Sequence, residues 1–161
     1  MDNSRYKFRA WDKENKRMVP VDEIKFSLNG EVKGIKWTVS EIENRVVLKE
    51  NLILMQFTGL TDSEGKEIYE GDVCVCPATY PFFDGEERNY VGIIEWVQCN
   101  CAFELILKCV NPNKRGISDG INQSLSYFEN IKIIGNIYEE KFGWALWQVW
   151  KEEDEIRNDK G

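Results

Sequence analysis

The sequence predicts a mainly β protein, and three observations predict it. Aromatic and basic residues alternate with a period of two in the opening run, residues 6–10, and short apolar runs such as 90–97 follow. Turn-forming clusters punctuate these runs, among them Asn29-Gly30, Asp62–Gly65 and Glu70–Asp72. The strands are short and the loops irregular, which suits a small barrel or rolled sheet. A chain of 161 residues suits one domain, or one domain with an elaborated arm, and buries enough surface to need no disulfide or metal.

Each element has a local reason. Tyr6, Phe8 and Ala10 fall on one face of an opening strand, and Lys7, Arg9 and Trp11 on the other. A polar turn over residues 12–16 and the apolar residues Met18, Val19 and Val21 complete an amino-terminal β-hairpin arm. Asn29-Gly30 joins strands over 24–28 and 32–37, and 45–49 and 52–57 read as further strands. A short helix near 41–44 competes with them. Strands follow over 73–76, 90–97, 102–110 and 131–138. Residues 77–88 and 111–120 are loops rich in Pro, Gly, Asn and acidic side chains. Phe142–Trp150 places three of six tryptophans in nine residues. As a short carboxy-terminal helix it is apolar nearly all round and must be covered, so an α+β description stays open.

Composition excludes more than it selects. The net charge is -7: residues 1–56 carry 11 basic and 9 acidic side chains, and residues 57–161 carry 10 and 19. That balance disfavours a general nucleic-acid binder but leaves a mildly basic arm. Histidine is absent, which removes Ser-His and Cys-His pairs and every imidazole ligand. The sequence offers no apolar run of membrane-spanning length and no secretory leader, so the five cysteines are expected to be reduced thiols in the cytoplasm. No phosphate-cradling motif occurs, no catalytic set is selected and no cofactor is implied.

Three residue sets remain as candidates. Lys7, Arg9, Trp11, Lys13, Lys16 and Arg17 interleave basic and aromatic side chains, a pattern able to hold a nucleic-acid strand; a packed Trp11 with solvated basic residues is the favoured alternative. Cys74, Cys76, Cys99 and Cys101 form two Cys-x-Cys pairs, a set that two adjacent strands could present to one zinc, although core thiols are the more common use. Trp144, Trp147 and Trp150 suggest a buried or subunit-facing tail. The acidic residues between Asp62 and Asp72 superficially suggest a calcium loop, but Gly65 is misplaced for one and strands flank it.

Residues 55–73, MQFTGLTDSEGKEIYEGDV, resemble the signature of the YopX family of phage and prophage proteins. The opening YKFRAWD with Met18, and the closing IIGNIYE at 133–139, resemble that family's two other motifs in the same order. Cys74 and Cys76 depart from it, standing where aliphatic residues are usual. The resemblance implies a largely β fold with an SH3-like barrel in the carboxy-terminal part; the expected division is an amino-terminal β arm or subdomain over 1–56, the barrel over 57–140, and a Trp-rich helical tail with an acidic terminus over 141–161. It also implies a phage or prophage protein in a bacterial cytoplasm, and carries no catalytic residues. The signature has a structural reading of its own: glycines 59, 65 and 71 permit turns, Ile68 and Tyr69 pack, and Asp72 bonds a turn. The expected function is a non-enzymatic accessory protein that self-associates or binds a host or phage protein. A nucleic-acid-binding small barrel is the alternative, and no membrane role is expected.

Overall fold

The computed structural model describes residues 6–40, 43–79, 87–108, 121–125 and 130–139. Within them the chain is mainly β, built from three antiparallel sheets, one of which is a curled half-barrel. It divides into two compact units, residues 1–59 and 60–161.

The first unit holds two small sheets, with the expected hairpin in one of them. Strands β1 (Phe8–Asp12) and β2 (Arg17–Pro20) form the expected hairpin, with Ala10 opposite Val19 and Trp11 opposite Met18. β1 also pairs with β6 (Leu52–Thr61), which carries the chain past residue 59. The second sheet has the order β3-β4-β5, from Glu23–Phe26, Val32–Ser40 and Glu43–Leu48. Alternation explains why the two sheets need each other. Ala10, Val19 and Leu52 face one way, Ile35, Trp37 and Val47 another, and together they form one buried cluster. Each large member contributes about 1.5–3 kcal/mol by leaving water. Residues 43–48 are strand, so the short helix weighed as an alternative for 41–44 does not form at 43–44; a single 3₁₀ turn, Lys49–Asn51, joins β5 to β6.

The second unit curls a five-stranded sheet of order β11-β10-β9-β8-β12 around its own core. These strands are β8 (Asp72–Thr79), β9 (Glu87–Val97), β10 (Ala102–Lys108), β11 (Ile121–Ser124) and β12 (Lys132–Asn136). A three-residue strand, β7 (Glu67–Tyr69), precedes them and is bonded to β6. The core holds Ile68, Cys74, Cys76, Ile94, Leu105, Leu125, Ile131 and Ile133. β12 returns from far along the chain to pair with β8, with a bulge between Ile133 and Gly135. The helix expected over the tail lies outside the described residues. Among those described, no helix is long and apolar enough to cross a membrane.

Candidate functional site

The family-like signature turns out to be a clasp within the second unit. Asp62 is buried, and its carboxylate accepts N–H bonds from Glu64 and Lys66 at 2.9 and 2.8 Å. The same carboxylate reaches across to the Ile133 N–H at 3.1 Å. Burial alone pushes this acid up, but the N–H groups of Ile133, Lys66 and Glu64 outweigh it and hold the carboxyl below its ordinary value. Ten residues on, Asp72 accepts the Tyr69 N–H at 2.9 Å, and Asn136 Nδ2 approaches it at 3.5 Å. Gly71 lies between, at φ +78°, and both donates to Ile94 O and accepts from Ile137 N. A Cβ there would sit 3.3 Å from Asn136 Nδ2 and 3.4 Å from Tyr138, so glycine is required for conformation and for space. The central and closing motifs thus bind each other. Asp62 serves backbone donors rather than a cation.

The thiols are divided between two places. Cys74 and Cys76 lie on β8, fully buried, opposite Gly92 and Tyr90 of β9. Cys99 and Cys101 lie exposed in the β9–β10 turn, beyond Val97. The five residue steps from Gly92 to Val97 already span about 16 Å, so the two pairs cannot share one ion with bonds of about 2.3 Å. The four-thiolate site weighed from the sequence is therefore not built. Among the described residues no group of three metal-ligating side chains comes together. Burial pushes the Cys74 thiol far up, with Cys76 and Asp72 adding to it, and pushes Cys76 up to about 12.

The basic arm does not form a stacking platform. Trp11 is only 9% exposed, and Lys7 sits 5.5 Å from the Phe57 ring centroid. Arg9 is half-buried, while Lys13 and Lys16 are exposed around the hairpin turn. Arg17 is different. Its guanidinium lies 5.6 Å from the centroid of the buried Trp37 ring, and its Nε is 4.0 Å from Asp12 Oδ2. Asp12 itself is occupied by its turn. It accepts from the Glu14 and Asn15 N–H groups, both at 3.2 Å, and from Asn15 Nδ2 at 2.7 Å. Trp144, Trp147 and Trp150 lie outside the described residues.

A cleft of about 370 Å³ opens beside Arg17. It is lined from the β1–β2 turn by Asp12, Glu14 and Asn15, from β5 by residues 45–48, and also by Trp37. Side chains of a strand alternate, so four consecutive residues can line one cleft only along the strand's edge. β5 ends the order β3-β4-β5, and among the described residues nothing pairs with its outer edge. Val46 and Leu48 stand 66% and 56% exposed there. Sequence reasoning had no route to this cleft, because Arg17, Trp37 and the edge of β5 meet only through the stacking of two sheets.

A family model described as YopX protein matches residues 7–141, so the chain belongs to the YopX family. No curated protein matches the chain. Among solved structures it is similar to the crystal structure of protein EF1440 from Enterococcus faecalis. That likeness has a TM-score of 0.52 at 23% identity, covers 84% of this chain and 95% of the other, and shows a shared fold.

Proposed function

We propose that this member of the YopX family is a non-enzymatic protein-binding module of phage or prophage origin, working in the host cytoplasm. One observation carries the reading: β5 presents an edge with which no other described strand pairs, with exposed Val46 and Leu48 beside a cleft. Strand edges left open are templates for association, and proteins usually blunt them. Three other edge strands are interrupted. β2 ends in Pro20, β3 bulges between Lys25 and Phe26, and β12 bulges between Ile133 and Gly135. β5 keeps a regular register from Asn44 to Leu48, its register shift lies at its start by Glu43, and it carries no proline.

The second unit serves this reading as a scaffold. Its curled five-stranded sheet supports an SH3-like description of the barrel, and its buried aspartates serve turn N–H groups instead of a reaction. The partner is a host or phage protein or another copy of the chain. Trp144, Trp147 and Trp150 are a second proposed self-association surface, checked by the native mass of a triple alanine variant. The burial of Trp11 weighs against the nucleic-acid alternative, because a stacking residue must offer its ring face.

The test is a photo-crosslinking amino acid at Leu48 of the full chain, expressed in an infected or induced host. A discrete light-dependent protein adduct is expected. Adducts only with nucleic acid, or none from either position 46 or 48, overturn the reading.

A further inference from the structure

The cleft beside β5 has two walls, and that restricts what can enter it. A strand adding to β5 must lie between residues 45–48 and the β1–β2 turn. The same strand of a second copy would bring its own β4 along on its far side, where the turn stands. A lone extended segment has no such neighbour. It can make main-chain bonds to the open edge and place alternate side chains against Val46 and Leu48.

Charge narrows the choice further. Arg17 is held over Trp37, 45% exposed, at the wall of the cleft. Its nearest carboxylate, Asp12, stays 4.0 Å from Nε and is already satisfied by three donors of its own turn. A guanidinium stacked on an indole is preorganised and keeps its planar fork of donors for a carboxylate. We infer that the cleft takes a lone extended peptide segment bearing a carboxylate side chain, added as a strand to β5 and read by Arg17. This rests on the protein-binding reading above and names its partner's chemistry.

The experiment titrates capped five-residue peptides of alternating Thr and Val into the isotope-labelled full chain, with Glu, Gln or Lys at the centre. Backbone amide shifts at residues 45–48 and the Arg17 Nε–H are followed by NMR. The Glu peptide is expected to shift both sets and to bind about fivefold more tightly than the Gln peptide, as a partly exposed charge pair allows. R17Q is expected to abolish that preference while leaving the shifts at 45–48. A Glu peptide with N-methylated backbone is expected not to bind. No shifts at 45–48 with any peptide up to millimolar concentration, or equal affinity for Glu and Gln, overturns the inference. So does a concentration-dependent dimer that seats this edge without peptide. A protein adduct from position 48 together with silent peptides sinks this inference alone; the absence of any adduct sinks the reading beneath it.

Discussion

Asp12 and Asp62 begin the same way and end differently. Each is a buried aspartate whose carboxylate accepts the N–H groups of the turn that follows it. Asp62 goes on to take the N–H of Ile133, and that bond closes the second unit on itself. Asp12 takes the donors of its own turn and an ion pair with Arg17 at 4.0 Å, and Arg17 on Trp37 faces a cleft. The difference teaches where each unit directs its polar groups. The second turns them inward to hold distant segments together. The first keeps a guanidinium and a strand edge turned outward.

The comparison breaks most sharply at the clasp. Asp62→Ala removes the acceptor of a buried N–H and of two turn N–H groups, so a loss of about 3 kcal/mol is expected, read as a lower urea midpoint. Gly71→Ala combines the positive φ with contacts at 3.3 and 3.4 Å, and should cost about 2 kcal/mol. Either variant staying as stable as the parent would remove the structural explanation of the signature.

Acid should loosen the same clasp. The Asp62 carboxyl is held below the ordinary aspartate value of about 3.9. Its contribution is therefore complete above that value and disappears as pH falls through the folded-state value. Asp62→Asn should flatten the acid limb of a stability-against-pH curve. An unchanged acid limb would place the dependence elsewhere.

The thiols sharpen the contrast in a third way. Cys76 is pushed up to about 12, and a raised thiol contributes stability below its ordinary value and loses it as pH climbs toward 12. Native protein should therefore label at Cys99 and Cys101, while Cys74 and Cys76 react only after unfolding. Mass-spectrometric mapping of iodoacetamide adducts checks this. Rapid native labelling of Cys74 would contradict its burial.

The smallest expected effect falls on the first unit. Leu48→Thr removes an exposed apolar side chain at a strand position where threonine is well accepted, so stability should stay within about 0.5 kcal/mol of the parent. Adducts with the protein partner should nevertheless weaken when the crosslinker at position 46 is combined with this change. A large loss of stability would mean that Leu48 packs within the fold.

Much of the strand order was readable, because period two and turn residues are local signals. The Asn29-Gly30 turn is bonded as expected, with Gly30 at φ +84°. β7 escaped because it has three residues and a single buried side chain, Ile68. β11 escaped because Ile121–Ser124 offers little apolar alternation and gains its place only by pairing with β10. The amino-terminal strands stack as two sheets because Trp37 and Val47 needed a partner face, and sequence alone does not say which face. The role of Asp72 in its turn was legible from residues 69–72; the bond from Asp62 to Ile133, 71 positions away, was not.

Hydrogen–deuterium exchange of the free full chain tests the account most directly. Alternate amides of residues 45–48 should exchange orders of magnitude faster than those of Gly71, Ile133 and Ile137. If all four resist exchange as long as those three, the edge of β5 is already covered and the binding surface described here does not exist.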